Sequence, residues 1–430
     1  TRFKCDWSSD VCSSDLAAAA VDESKRREAR DSADMRPEIV AARLAAAFQR
    51  ERKVSIADSG VTSDDRRALA ERVATEYTLN AKQRLAFGCV ADTLLAELAH
   101  DADPHSSPQP KQLFLYIGGS GGTGKTRVVR AIQALFALFL KPTWLVTTAV
   151  VGSAASQIGG STLASLTGTG HGLETEEDDA EAKRASRSSS PLLLAARFVI
   201  VDEISTLGQH ALADQDIALR RNRGSLAETL FGGVHMIAVG DFRQLTPVGD
   251  IPLYAEPIKL PRRLEAVQGR YAWSMLQHVV LLDEQKRQAG ADAETQQFHQ
   301  LLERLADGRC TAADFRLLNT RVIGSNSTAT QLAETARFQQ APLIVSRNTV
   351  RMAISTEYLQ SLARHSRQRM FVSVATDLLC VRRGKYQPRP RLRRKLLDLH
   401  DGQVEFHSGK LLLTEGMELL LKHNFVTPAK

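Results

Sequence analysis

Residues 113–126 read LFLYIGGSGGTGKT, and the fold follows from this stretch. The apolar, partly aromatic run 113–117 fits a buried strand. The glycines behind it remove side chains where a ligand must approach the backbone. Gly119 and Gly124-Lys125-Thr126 complete G-x-x-x-x-G-K-[ST], a loop that cradles phosphates with its N–H groups; Gly121, Gly122 and Thr123 form its middle. A helix over 127–140, stopped by Lys141-Pro142, would aim its positive dipole end at the same anion. In that setting Lys125 reaches the β- and γ-phosphates of ATP and the Thr126 hydroxyl binds Mg²⁺. An ordinary glycine-rich strand–helix turn would leave Lys and Thr directly after the last glycine unexplained.

Upstream, Asn80 precedes a helical run with apolar positions Leu85, Val90, Leu94 and Leu98. Asn80-x-x-Gln83 fits a capping box, in which the glutamine reaches back to the cap. The same carboxamide offers a donor and an acceptor to an adenine edge, and its place just ahead of the phosphate loop favours that role. Residues 17–76 are Ala-rich and dense in Arg, Asp and Glu, and read as a helical or partly disordered extension in which Ile39, Val40, Leu44 and Phe48 share a face. Residues 6–16, DWSSDVCSSDL, resemble a translated sequencing adaptor, which makes 1–16 an assembly artefact on this reading.

Downstream, apolar runs at 144–149, 196–201 and 235–239 alternate with helical segments, and polar residues stand at their carboxyl ends. This is the pattern of an α/β fold: a parallel sheet with helices on both faces and its ligand in the crevice at the strand ends. Loops of small residues are expected at 152–155 and 160–165. A polar surface insert is expected around 168–195, where six acids fall within 174–181. Asp202-Glu203 closes the second run. Nucleotide hydrolysis needs one carboxylate to hold Mg²⁺, which suits Asp202, and one group to orient and deprotonate water, which suits Glu203. A P-loop kinase acting on small molecules often lacks the second acid. After the third run comes GDFRQLTPV, 240–248, where Gln244 can sense the γ-phosphate or the attacking water and Asp241 can hold the loop in shape.

Composition agrees with a globular chain large enough for two or three domains: 43% hydrophobic and 24% charged over 430 residues. The net charge of +7 mildly favours a polyanionic partner. Five scattered cysteines, without a CxxC, point to reduced thiols, and no apolar run approaches membrane-spanning length. A helix is expected within 262–280, a strand at 279–282 and another at 341–346. The basic run 382–395 looks too irregular for an amphipathic helix, and 411–424 reads as two strands around Gly416.

Together, Gln83, the phosphate loop, Asp202-Glu203 and 240–248 resemble the motor of superfamily-one DNA helicases of the PIF type (petite integration frequency), a group also found fused to Helitron transposons. Leu79-Asn80-x-x-Gln83 resembles the family's adenine motif. Residues 146–155 with Gly160-x-Thr162 resemble its single-stranded-DNA region, with 148–153 and Thr162 as candidate contacts. Trp273 and Leu282-x-x-x-x-Arg287-Gln288 resemble the start of its second motor domain, and by that resemblance Arg287 reaches the γ-phosphate. Ala164 replaces a usual His and Thr206 a common Met.

The resemblance implies a P-loop NTPase with one RecA-like domain over 77–281, following an extension over 1–76. Part of a second RecA-like domain and the start of an insert would occupy 282–430. The late helicase motifs do not follow, so a C-terminally truncated chain with little unwinding activity is expected. The implied activity is ATP- and Mg²⁺-dependent 5′-to-3′ translocation on single-stranded DNA and DNA junctions. The implied roles are in repair, recombination and telomere maintenance in the nucleus or the mitochondrion. A RecD-like helicase fits the wording of 202–205 and 240–248 less well. The rival from another class is a non-catalytic, nucleotide-gated DNA-binding fragment of a transposon-derived helicase.

Overall fold

The computed structural model describes residues 35–52, 55–57, 61–167, 191–221, 223–256, 264–286, 292–322, 343–376, 378–381, 384–397, 399 and 409–417. The chain divides into two compact units between Asp314 and Phe315. Residues 1–16 and the acidic part of the insert, 168–190, lie outside the described residues.

In the first unit, β1 (Phe114–Gly119), β2 (Leu145–Ala149), β3 (Ser161–Thr162), β4 (Phe198–Asp202), β5 (His235–Gly240) and β6 (His278–Leu282) form one sheet in the order β3-β2-β4-β5-β1-β6. Every pairing in it is parallel. Alternate side chains sort into two cores. Leu115 and Ile117, Phe198 and Ile200, and Ile237 and Val239 face one core. Phe114 and Tyr116, Val199 and Val201, and Met236 and Ala238 face the other. Because both faces are covered, these strands appear in the sequence as unbroken apolar runs. Leu282, where the second domain is expected to begin, is the last residue of the sixth strand.

The first core is roofed by α1 (Pro37–Arg52), α2 (Ser63–Glu76), α3 (Ala81–Ala102) and α4 (Lys125–Leu138). The second is covered by α5 (Gln209–Arg220) and α6 (Leu264–Ser274), which supply Leu212, Leu219 and Ala272. The α4 helix ends two residues earlier than expected, and Leu140 turns the chain in the left-handed region at φ 57°. Leu85 lies on the outer side of α3, 59% exposed, while Phe87 and Ala91 join Val90 and Leu94 inside. Residues 152–155 and 160–165 are not loops: short helices Gly152–Gln157 and Leu163–Thr167 flank β3. Ala and Ser are compatible with a helix once a sheet edge anchors them.

Within the segment read as an extension, the helices over 37–52 and 63–76 pack into the core of the first unit. In α1, Val40, Ala41, Leu44 and Phe48 are buried, whereas Ile39 faces out. Their cluster includes Val128, Ile132 and Leu135 of α4, and the buried Tyr77 hydroxyl donates to the carbonyl of Met35. The helix that follows the phosphate loop is therefore held from behind by α1. Phe48→Ala is expected to cost about 3–5 kcal/mol, the usual range for a buried aromatic truncation. A urea titration should show the midpoint falling with an unchanged slope.

In the second unit, helix Asn348–Ser366 precedes strand Met370–Val374, which pairs antiparallel with Lys410–Thr414. A smaller pair joins Leu379–Val381 to Gly384–Tyr386. Residues 343–346, the described part of the expected strand 341–346, form none, and Ile344 is 99% exposed. Only the last part of the basic run forms a helix, Pro390–Leu397, where Pro390 takes the first helical position and its missing N–H costs nothing. Gly416, at φ 82°, turns the chain after Lys410–Thr414; the second strand expected there lies outside the described residues.

Candidate active site

Strands β4, β5 and β1 are neighbours in level register, Val201 beside Ala238 and Gly118 beside Gly240. The loops leaving their carboxyl ends therefore meet over one part of the sheet. These loops carry Asp202-Glu203, residues 241–248 and the phosphate loop.

At two positions the phosphate loop leaves no room for a side chain. A Cβ on Gly119 would stand 2.6 Å from the carbonyl oxygen of Leu282 in the adjacent strand. Gly124 sits at φ 86°, and its Cβ would be 2.4 Å from the Gln83 amide nitrogen. Directly behind Gly124, α4 starts at Lys125, with Thr126 in its first turn. The Lys125 ammonium donates to the carbonyls of Gly119 at 2.6 Å and Ser120 at 3.1 Å, inside its own loop.

Gln83 is 1% exposed and its carboxamide is engaged at both ends. Its Oε1 accepts from the Asn80 N–H at 3.1 Å while Asn80 accepts from the Gln83 N–H at 2.8 Å, so the capping box is complete. Its Nε2 donates to the Thr123 carbonyl at 3.0 Å. The bonds of Gln83 thus realise the cap and a tie to the phosphate loop.

Asp202 accepts from the Glu203 N–H at 2.9 Å. Burial pushes its carboxyl up, and the Lys125 charge opposes that rise. The Glu203 carboxyl is also raised, by burial first, then by the charges of Asp202 and Asp241, again against Lys125. Lys125, Asp202, Glu203 and Asp241 all lie at or just beyond the carboxyl ends of the adjacent strands β1, β4 and β5, and so share one locality. Glu203 also adopts a left-handed backbone, φ 56° and ψ 38°, which is uncommon and costly for a residue with a Cβ. The Thr206 hydroxyl donates to the Glu203 carbonyl at 2.8 Å and helps hold that turn, a role its difference from the family pattern did not suggest.

Asp241, 7% exposed, accepts from the Arg243 N–H and from the Gln244 amide, each at 3.0 Å, which fixes the loop as its sequence suggests. The Gln244 amide nitrogen lies 4.0 Å from the position of a Cβ on Gly121, so this carboxamide stands against the phosphate loop. Behind the loop, Phe242 packs on Tyr116, Tyr254 and Trp273 with ring centroids 5.2–5.5 Å apart. Trp273, read as announcing the second motor domain, belongs to α6 of the first unit.

Arg287 and Gln288 lie outside the described residues. The four residues before them were not singled out from the sequence, yet they touch the site. The Gln285 amide donates to the Gly121 carbonyl and the Lys286 N–H to the Gly122 carbonyl, both at 2.8 Å. A Lys82–Asp283 ion pair at 2.5 Å anchors the same segment to α3. Of the candidate DNA-facing stretch, Thr148 is fully buried, its hydroxyl donating to the Ile200 carbonyl at 2.7 Å. Val151, Gly152 and Ser153 are exposed, and Gly152 stands beside the Thr162 methyl.

The Asp202 carboxylate and the Thr126 hydroxyl are hard oxygen donors of the kind Mg²⁺ takes. Lys125 is the cation that offsets the burial of Asp202, and a divalent ion would compensate that carboxylate further.

This sheet, its phosphate loop and the two acids define a P-loop NTPase of RecA-like fold. The family model described as PIF1-like helicase matches residues 99–316, just over half of the sequence. The chain belongs to the PIF1-like helicase family. It is 33% identical over 186 residues to the ATP-dependent DNA helicase PIF1 of Candida albicans, covering 40% of this chain and 19% of that protein. Against ATP-dependent DNA helicase RRM3 of Saccharomyces cerevisiae it is 36% identical over 107 residues, 24% of this chain and 14% of that one. The chain thus spans under a fifth of the length of either. A crystal structure of Pif1 helicase from Candida albicans superposes with a TM-score of 0.48 at 23% identity, covering 78% of this chain and 63% of the other.

Proposed function

We propose that the first unit binds and hydrolyses ATP and that the chain is the motor portion of an ATP-dependent DNA helicase acting on single-stranded DNA. The observation that carries this reading is the convergence of Lys125, Asp202, Glu203 and Gln244, distant in sequence, at one end of the sheet. Lys125 exchanges its two loop carbonyls for β- and γ-phosphate oxygens. Gln83 acts through Thr123 to keep the loop in place. Glu203 accepts the proton of the attacking water, and Gln244 senses the γ-phosphate. Asp202 and Thr126 would hold Mg²⁺, which when bound neutralises charge on the phosphates. The names of the relatives, ATP-dependent DNA helicases, support the same activity.

Single-stranded DNA is proposed to contact the exposed residues 151–153 with Thr162, through a sequence-tolerant grip on the backbone. Arg287 as a γ-phosphate contact, the second unit as part of a second RecA-like domain, and 5′-to-3′ movement all rest on the family resemblance. So do action at DNA junctions and nuclear roles in repair, recombination and telomere maintenance.

The test is ATP turnover with and without single-stranded DNA. Turnover that rises severalfold with an oligonucleotide of arbitrary sequence, and falls as salt is raised, is the expected result. Turnover that requires a small-molecule phosphate acceptor would identify a kinase. ATP binding and DNA binding without turnover would identify a non-catalytic DNA-binding protein.

A further inference from the structure

Three successive carbonyls of the phosphate loop are each held by a donor from outside it. Gly121 O accepts from the Gln285 amide at 2.8 Å, Gly122 O from the Lys286 N–H at 2.8 Å, and Thr123 O from the Gln83 amide at 3.0 Å. The peptide unit is planar and trans, so each carbonyl and the N–H of the next residue point in opposite directions. Pinning the three oxygens outward turns the N–H groups of Gly122, Thr123 and Gly124 toward the inside of the loop. The Thr123 N–H does point inward, toward the Ser120 carbonyl at 3.4 Å. Backbone signs agree: Gly122 at φ 91° and Gly124 at φ 86° flank Thr123, which has no positive φ. Alternation of this kind makes a concave array of N–H groups suited to an anion.

Two of the three donors come from one short segment, 283–286, that leaves β6 and crosses the loop. It is anchored independently of the loop. Asp283 pairs with Lys82, and Glu284 pairs with Lys286; Lys286 first, then the Asn80 side chain, hold the Glu284 carboxyl below its usual range. Asn80 and Lys82 stand at the start of the helix that carries Gln83, so all three outside donors share one support.

We infer that Gln285 is a positioning residue for the nucleotide: through the Gly121 carbonyl it keeps the phosphate loop in the form whose N–H groups receive the β-phosphate. Gln285 does not touch the nucleotide in this role. The inference rests on reading the loop as a phosphate site, and it extends that reading by assigning a residue outside the loop pattern.

The experiment is displacement of a fluorescent ADP analogue by MgADP and by AMP from wild type, Gln285→Ala and Gln285→Glu, with thermal melting of each protein as a folding control. Gln285→Ala should weaken MgADP about three- to tenfold, the range for one lost hydrogen bond. AMP, which lacks the β-phosphate, should bind all three alike. Gln285→Glu has the same shape but no amide donor, so it should weaken MgADP at least as much. In steady-state hydrolysis the change should appear in KM, with kcat kept. A Gln285→Ala protein that melts normally and binds MgADP like wild type would overturn the inference, as would equal losses for AMP and ADP. A wild-type protein that binds no nucleotide would instead sink the reading of the loop itself.

Discussion

Lys125→Ala is expected to lower ATP turnover by roughly 10²–10³, about 2.7–4 kcal/mol of transition-state stabilisation, the scale set by removing one preorganised charge donor. Among the described residues, Lys125 is the cation whose charge both Asp202 and Glu203 register. Removing it therefore does two things. The phosphates lose their closest positive partner, and both carboxyls rise further because the charge that held them down is gone. The acid limb of kcat/KM should accordingly move to higher pH in the mutant, beside the fall in rate. Lys125→Arg keeps the charge, but its planar fork does not reproduce the ammonium seated between the Gly119 and Ser120 carbonyls. It should recover the position of the acid limb without recovering the rate. Pre-steady-state measurement of phosphate release across pH would check both parts; an unshifted limb would show that the lysine does not act on the acids.

What could be read from the letters was whatever depends on local pattern. The strands buried on both faces announced themselves as apolar runs, and the phosphate loop, Asp202-Glu203 and Asp241 stood at their ends as expected. Gln83 was legible as a residue of interest but ambiguous in role, because a capping box and an adenine contact use the same carboxamide at the same position. Three-dimensional pairing adds contacts that no local pattern carries, such as the tie from Gln83 to the Thr123 carbonyl. Nothing local in residues 283–286 signals that they cross the phosphate loop; that follows from β6 lying beside β1. The α1 helix looked like an appendage because its partner surface on α4 begins 80 residues further on (Phe48 to Val128), and its apolar face contains only a few positions. Thr148 counted as a DNA contact through the family resemblance, yet it occupies an inward position of β2.

Glu203→Gln carries the largest expected kinetic effect. A positioned general base contributes roughly 10²–10⁴ in rate, and the substitution removes the base while preserving size and one acceptor. ATP should still bind, because the phosphate loop and Lys125 are untouched, so the mutant is expected to trap the nucleotide on the protein. The pH dependence follows from the direction of the shift. Burial, then the Asp202 charge, raise the Glu203 carboxyl above its ordinary 4.5, so the acid limb of wild-type kcat/KM should lie above that value. Glu203→Gln should lack that limb. Stability runs the other way. A carboxyl raised by folding favours the fold in its protonated form; this increment is complete below the ordinary Glu value and is lost as pH rises through the raised one. Glutamine is neutral throughout and keeps the increment, so the mutant should melt higher than wild type near pH 7 and alike in acid. The left-handed backbone at residue 203 adds strain that the substitution leaves in place, so the gain comes from charge alone. A mutant that is slow but no more stable at neutral pH would show that Glu203 is not desolvated in solution, and with it the account of how this acid becomes a base would fall.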